Sequence, residues 1–505
     1  MPWDSNNPAA DIPIISANMD ARETVPTSSG MTNADAPAIL WFRNDLRLAD
    51  HAALHGAIES GRPVLPVFIL DDQSPGPWAL GGASRWWLHH SLDALRLSLA
   101  GHGAHLTLRR GDSAAIIADI ADQTGAAELF TGGCADPWAR RVDQAVAEAF
   151  GGKLHRMRTT TLFHPNSVRT KSGGAYGVYT PFANACLALG GPKPPLPAPK
   201  TIRAAKPPPS DRLKDWGLLP ARPDWAGGLR DTWTPGEAGA MERAEAFLTH
   251  GLGGYAAARD RPAGDGTSML SPHLHFGEIS GPQLWHMAHQ RPAGKAREIF
   301  IRELLWREFC ANLLWHNPGL PDAPLKHEFG RMPWRDDKAA VAAWQQGQTG
   351  VPIVDAGMRQ LWQIGWMHNR VRMIVASFLI KHLMIPWQDG EAWFWDTLVD
   401  ADLASNAGNW QWVAGCGADA APYFRIFNPV LQGRKFDADG DYVRQFVPEL
   451  VRLDTRHIHA PWEAPPDALE AAGVVLGETY PTPIVDLAAG RNRALSAYAA
   501  IRSQG

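Results

Sequence analysis

Glu303, Trp306 and Arg307 stand at positions i, i+3 and i+4 of an apolar stretch, Ala296–Trp315, that reads as a helix, so all three share one face. A carboxylate, an indole and a guanidinium side by side can stack on and hydrogen-bond a flat polar ring. Taken alone, the trio reads more simply as a Glu303–Arg307 ion pair with Trp306 in the core. The apolar surroundings count against that simpler reading, because buried charge is kept where it is paired or used. Gly365-Trp-Met-His-Asn-Arg-Val-Arg-Met373 repeats the spacing: Asn369, Arg372 and Met373 offer an amide, a guanidinium and a soft thioether beside Trp366. Asp400-Ala-Asp-Leu-Ala-Ser-Asn406 brings together two acids and an amide. A divalent cation is one reading of Asp400 and Asp402, but neither a glycine-bearing calcium loop nor a histidine pair accompanies them, and no metal is expected. An Arg372–Asp400 pair is the other reading. Tyr255 and Gly266-Thr-Ser-Met-Leu-Ser271 supply hydroxyls and backbone N–H groups ahead of a helix, an arrangement that caps helices and also holds phosphate oxygens.

Positioning these groups takes a large scaffold, and 505 residues are enough for two large domains. A composition 45% hydrophobic and 20% charged is that of a soluble globular protein. With a net charge of −4, any nucleic-acid partner needs a local basic patch. Cys134, Cys186, Cys310 and Cys416 stand far apart, which excludes a disulfide framework or zinc ribbon and fits the cytoplasm. No apolar run is long enough to span a bilayer; the longest, Met373–Leu383, is interrupted by Ser377 and Lys381. Residues 1–36 are polar, lack the layout of a signal peptide, and read as a disordered tail or as a start placed upstream of Met19 or Met31.

Strands are predicted at Ala38–Phe42, Pro63–Leu70, His105–Leu108, Glu128–Phe130 and Lys153–Arg158. Between them run helices at Ser84–Ala100, from an Asp112 cap to Ala121, and from Pro137 to Phe150. This alternation predicts an α/β domain with a doubly wound parallel sheet over residues 37–165. No Gly-x-Gly-x-x-Gly follows the first strand, so a dinucleotide fingerprint is absent. Residues 166–235, proline-rich at Pro192–Pro199 and Lys206–Pro209, read as an interdomain connection. Residues 236–490 read as an all-α domain, with helices at Glu242–Leu248, Ala296–Trp315, Ala339–Gln346, Ile353–Ile364, Trp366–Leu383 and Trp393–Leu398. Most of the 22 tryptophans are expected to serve packing, which leaves stacking or electron transfer for the rest.

Six segments follow in order: Trp41-Phe-Arg-Asn-Asp-Leu-Arg47, Arg302-Glu-Leu-Leu-Trp-Arg-Glu-Phe309, Gly347–Gln360, Gly365–Met373, Asn409-Trp-Gln-Trp412 and Pro422-Tyr-Phe-Arg-Ile-Phe-Asn-Pro429. Together they resemble the photolyase/cryptochrome family over Ile39 to Val447. The resemblance implies an N-terminal antenna domain and a C-terminal helical domain holding a U-shaped FAD, active as its reduced anion. It also implies a second antenna chromophore, a folate or a deazaflavin. By position, Tyr255, Thr267, Ser268, Met269, Leu270 and Ser271 are implied at the FAD diphosphate and ribityl chain, Met269 standing where many relatives carry a basic residue. Phe300, Arg307, Trp366, Asn369, Arg372, Asp400, Asp402 and Asn406 are implied as the rest of the flavin pocket. There Arg372 would compensate the flavin anion while Asp400 holds it, and the Asn406 amide would withhold a proton.

The implied activity is light-driven repair of cyclobutane pyrimidine dimers in UV-damaged DNA, by a monomer with no membrane association. The dimer would be flipped out of the duplex onto Trp306 and Trp412, with Glu303, Asn369 and Met373 around it. Arg259, Arg370, Arg425 and Gln432 match the DNA-facing rim, and Trp410, Trp387 and Trp334 match an electron-transfer chain from flavin to surface. Asp136-Pro-Trp138 and His89 fall in the antenna region, although His89 reads rather as a half-buried helix residue. Plant cryptochromes resemble this chain at Ser271–Ser280 but usually carry Asp at the Asn369 and Asn406 positions and lack Trp at 306 and 412. The (6-4) photolyases place histidines at the Asn369 and Met373 positions. The residues thus favour a dimer photolyase of the bacterial branch near plant cryptochromes. A blue-light receptor, a (6-4) photolyase and a dark redox flavoprotein are the alternatives.

Overall fold

The computed structural model describes residues 36–419 and 424–503. The tail expected over residues 1–36 lies outside them except for Ala36, as do Pro422 and Tyr423 of the last motif.

Five strands, β1 (Ala38–Phe42), β2 (Val64–Leu70), β3 (Thr107–Arg110), β4 (Glu128–Gly132) and β5 (Lys153–Met157), form one sheet in the order β3-β2-β1-β4-β5. All pairings are parallel, with Ile39 opposite Leu65 and Leu129. The unbroken apolar runs of β1 and β2 have this cause: helices cover both faces of the sheet, so side chains pointing either way are buried. Ile39, Trp41 and Val67 pack with Ile117 and Val146 on one face; Leu40 and Phe42 pack with Trp86, Trp87 and Leu92 on the other. Asp112 caps the helix Ser113–Thr124 as expected, accepting from the Ala115 N–H at 2.8 Å. The strand expected at His105–Leu108 lies two residues further on, because Arg109 and Arg110 are tolerated at the sheet edge through ion pairs with Asp119 and Asp72. The helix Ala52–Glu59, capped by His51, was not foreseen.

The Pro-rich stretch returns to the sheet. Val64 donates to the Arg203 carbonyl and Ala205 to the Val64 carbonyl, while Ile202, Trp216, Leu218 and Trp233 are buried in the sheet's core. Within the expected connection, the helix Tyr179–Ala188 packs instead into the helical half.

Long helices build that half: Lys295–His316, Pro352–Ile364, Asn369–Ser377, Trp387–Thr397 and Leu403–Ala414. The helix expected at Trp366–Leu383 begins only at Asn369. Gly365 ends the preceding helix at φ +64°, and the His368 ring accepts from the Arg370 N–H to open a new one. The helix expected at Trp393–Leu398 starts earlier, at Trp387, and the one expected at Glu242–Leu248 runs from Glu237 to Ala246. The final helix, Leu487–Arg502, continues past residue 490 and buries Ala494 and Ile501. Arg47 of the first motif joins the halves: its guanidinium donates to the carbonyls of Gly277 and Thr159, at 2.9 and 2.7 Å.

Candidate active site

A cavity of about 490 Å³ opens among the helices. Lys295–His316 gives it Phe300, Glu303, Trp306 and Arg307; Asn369–Ser377 gives Asn369, Arg370, Arg372 and Met373; Leu403–Ala414 gives Asn406, Trp410 and Trp412. Tyr255, Arg259, Ser268, Leu270 and Ser271 line it from the short helices and loops that precede Lys295, and Trp366, Asp400 and Asp402 complete the wall. The i, i+3, i+4 spacing thus does what it promised on two separate helices.

Its charges are paired. One guanidinium nitrogen of Arg372 donates to both oxygens of Asp400, at 2.9 and 3.1 Å, and its Nε donates to the Met367 carbonyl. Asp402 caps the helix Leu403–Ala414 by accepting from the Ser405 N–H at 2.8 Å and lies 3.8 Å from Arg307. Burial opposes ionisation of Asp402, yet Arg307, His275 and the Ser405 hydrogen bonds outweigh it and hold the carboxyl below its ordinary value. The Glu303–Arg307 pair does not form. Arg307 donates to the carbonyls of Thr160 and Leu274, and Glu303 accepts from Arg259 at 2.5 Å, because both partners lie closer than the next turn of the helix. Arg370 pairs with Asp260 at 2.8 Å and sits over the Phe436 ring.

Rings face the same space. Trp306 stacks on Tyr179 with centroids 3.6 Å apart and planes 6° apart, and the Trp412 indole N–H donates to the Asp419 carbonyl. Trp410 is buried, framed by Phe394 and Trp344. A Cβ at Gly390 would lie 2.1 Å from the Trp410 ring, so only glycine lets the helix bearing Trp387 approach this closely. Trp387 is buried and Trp334 half-buried, both off the cavity wall.

Arg425 and Gln432 also lie off the wall, as do Thr267 and Met269. Met269 has a left-handed backbone, φ +50°, and its side chain joins the core of the sheet half. Sequence reasoning missed Tyr179, Asp260 and Glu391. The Glu391 carbonyl accepts from the Asn406 amide at 3.0 Å; its carboxyl is buried with no hydrogen-bond partner among the described residues, and burial pushes it up to about 9. An acid four residues after Trp387 in an aromatic helix was the available signal.

A second cavity, of about 100 Å³, lies at the carboxyl ends of β1, β2 and β4, where the strand order reverses and α/β sheets take their ligands. Trp41, Asp136, Trp138, Thr159 and His275 line it. The indole N–H groups of Trp41 and Trp138, the Thr159 hydroxyl and both His275 ring nitrogens are buried without a hydrogen-bond partner among the described residues. Burial, reinforced by Asp402, raises the Asp136 carboxyl to about 6. His89 is not on this wall; it lies on the helix Gly82–Gly101 beside His90.

A parallel sheet with a crevice at its switch point, joined to helices around a charge-paired, ring-lined cavity, defines a two-part protein with a ligand-sized site in each part. The chain belongs to the DNA photolyase family: residues 38–200 match the family model for DNA photolyase, and residues 300–500 the model for the FAD binding domain of DNA photolyase. It is 53% identical to the deoxyribodipyrimidine photo-lyase of Agrobacterium fabrum, over 94% of this chain and 99% of that protein. It is 36% identical to cryptochrome-1 of Arabidopsis thaliana, over 89% of this chain and 68% of that protein. A crystal structure of a bacterial class III photolyase from Agrobacterium tumefaciens superposes with a TM-score of 0.90 at 51% identity, covering 95% of this chain and all of that one. The α/β-plus-helical fold class read from the sequence is thereby borne out.

Proposed function

We infer that this protein is a deoxyribodipyrimidine photolyase that repairs cyclobutane pyrimidine dimers in UV-damaged DNA with bound FAD and light. The observation that carries the reading is one cavity lined by two chemically different groups of residues. One group is the Arg372–Asp400 pair, Asn406 and the hydroxyls of Ser268 and Ser271, a donor set that fits an anionic flavin with its ribityl and phosphate chain. The other is Trp306, Trp412, Glu303, Asn369 and Met373, a stacking and hydrogen-bonding set for a pair of pyrimidines. When bound and reduced, FAD supplies the electron that splits the dimer.

The chain's own residues bind and orient. Arg372, fixed by Asp400, places positive charge against the flavin anion. One N–H of the Asn406 amide donates to the Glu391 carbonyl, and an amide, unlike a carboxylic acid, has no readily released proton to give to flavin. Asn369 and Met373 offer no imidazolium, which fits dimer rather than (6-4) chemistry. Arg259, Arg370, Arg425 and Gln432 form the DNA rim, where phosphates must displace Glu303 and Asp260 from the first two. Trp410, Trp387 and Trp334 are the residues that would pass electrons inward to an oxidised flavin held in the cavity, each indole being oxidised in turn and refilled from an external reductant. The second cavity takes the antenna chromophore, a folate or deazaflavin, whose polar edges would satisfy Trp41, Trp138, Thr159 and His275. No helix among the described residues is long and apolar enough to cross a membrane, and the four cysteines are unbridged; both support a cytoplasmic enzyme, which we take to act as a monomer.

The test uses single-stranded oligonucleotides carrying either a cyclobutane dimer or a (6-4) product, under blue light with chemically reduced protein. Dimer repair should far exceed (6-4) repair. Repair of the (6-4) product alone would overturn the specificity, and repair of neither would favour the light-receptor reading.

A further inference from the structure

Lys381 is a buried cation that no step above uses. It is 2% exposed and sits in the π-helical turn Phe378–His382 that follows Asn369–Ser377. Such turns distort a helix so that a side chain takes a direction the α-helix would not give it. Its ammonium donates to the backbone carbonyl of Arg425 at 2.5 Å and lies 4.2 Å from the centre of the Phe424 ring. No carboxylate pairs with it among the described residues. The Phe424 ring is engaged further, stacking on Tyr498 of the last helix with centroids 4.6 Å apart and planes 12° apart. Three residues on, the Phe427 N–H donates to the hydroxyl of Ser377, from the same helix that carries Lys381. The segment 424–428 is therefore tied at two points to the continuation of the helix that lines the active site with Asn369, Arg372 and Met373.

An unpaired ammonium in a core is costly, and methionine would fill the same space without that cost. What the charge contributes is a strong hydrogen bond to one particular carbonyl and an attraction to one particular ring. Both land on the residues that present Arg425. We propose that Lys381 is a positioning residue for DNA binding: its ammonium, held between the Phe424 ring and the Arg425 carbonyl, sets the segment 424–428 so that Arg425 meets the phosphate backbone. This rests on the reading of Arg425 as a rim residue.

The site also titrates in a useful range. Burial pushes the Lys381 ammonium down to about 7; the like charge of Arg425 adds to this and the Cys416 thiol opposes it. Across the same turn, His382 is held down at about 4 by burial, by Lys381 and by Arg493, so it stays neutral wherever Lys381 changes charge. Phosphate brought to Arg425 favours the ammonium, so DNA binding takes up a proton, and affinity falls as pH rises through the Lys381 transition.

The experiment measures affinity for undamaged and dimer-bearing duplexes from about pH 6 to about pH 9, using flavin-loaded wild type, Lys381→Met, Ser377→Ala and Arg425→Ala. Lys381→Met is expected to bind both duplexes about tenfold more weakly at pH 6, the scale of one hydrogen bond to a charged group. It should lose the pH dependence and keep flavin content and the repair rate at saturating DNA. Ser377→Ala, which removes only the neutral anchor, should weaken binding with the wild-type pH profile retained. Wild-type affinity in Lys381→Met, or a loss that leaves the pH profile unchanged, would overturn the proposal. Arg425→Ala without effect on DNA binding would instead overturn the rim reading, and the proposal with it.

Discussion

The two cavities differ in how their polar groups are satisfied. Around the helical cavity the charged side chains have protein partners: Arg372 with Asp400, Arg307 with carbonyls and Asp402, Arg259 with Glu303, Arg370 with Asp260. Around the sheet's cavity, Trp41, Trp138, Thr159 and His275 carry buried polar atoms with no protein partner among the described residues. A site that must stabilise a charged, electron-donating group benefits from groups fixed before the reaction, so that none has to move when charge does. A site that only holds an absorbing ring can leave its donors and acceptors to the ring itself. The charged groups of the helical cavity are thus fixed by protein partners, which the proposed chemistry needs and the proposed holding role of the sheet cavity does not.

Four substitutions break or sharpen that contrast, in descending order of expected effect. Asp400→Ala strands the Arg372 guanidinium without its carboxylate, a change that costs about 3–5 kcal/mol for a buried pair. Purified protein should lose FAD absorbance and unfold at lower denaturant; full flavin occupancy at unchanged stability would refute the pairing's role. Asp136→Asn probes the wall of the sheet cavity. Because folding raises this carboxyl from 3.8 to about 6, it makes the wild type lose stability as pH climbs from about 4 to about 6, a contribution that the amide variant lacks. Above that window the variant should be more stable by about 2–3 kcal/mol, and below it the two should coincide. Denaturant midpoints at both ends of the range decide it, and a variant less stable at high pH would show Asp136 to be ionised and partnered. Trp306→Ala should weaken binding of dimer-bearing DNA by about 1–3 kcal/mol, the scale of one stacked base, and leave undamaged DNA nearly unaffected. Equal losses on both DNAs, read by anisotropy, would make Trp306 a packing residue of the Tyr179 stack instead. Trp138→Ala should remove near-ultraviolet absorbance beyond that of FAD yet leave repair under saturating blue light unchanged. Loss of repair under those conditions would put the sheet cavity inside the chemistry.

How far the sequence revealed this arrangement depended on whether a signal was local. The β1 limits, the Asp112 cap and the helix bearing Glu303, Trp306 and Arg307 follow from period and capping, both of which act within one or two turns. The partners of those residues did not follow. Glu303 reads as paired with Arg307 because they are neighbours on a helix, but Arg259, 44 residues away, reaches it first. Tyr179 lay in what looked like connection, and its stack on Trp306 is a tertiary contact with no trace in spacing. Met269 is implied by position in the resemblance, and its left-handed backbone and packing against the core of the sheet half have no signal in its residue type. The break at Gly365 was legible in principle, since glycine after an apolar period ends helices, yet the apolar run beyond it masked the signal.

The most direct test of light-driven repair in the helical cavity compares wild type with Trp410→Phe. Phenylalanine keeps most of the packing against Phe394 and Trp344 but is much harder to oxidise than indole. Under blue light with an external reductant, the variant's flavin should stay oxidised while the wild type's is reduced. After dithionite reduction, both should restore intact pyrimidines from a cyclobutane dimer in blue light, and neither should do so in the dark. Reduced, flavin-loaded wild type that binds the dimer and leaves it intact under blue light would contradict the assignment of repair to this cavity.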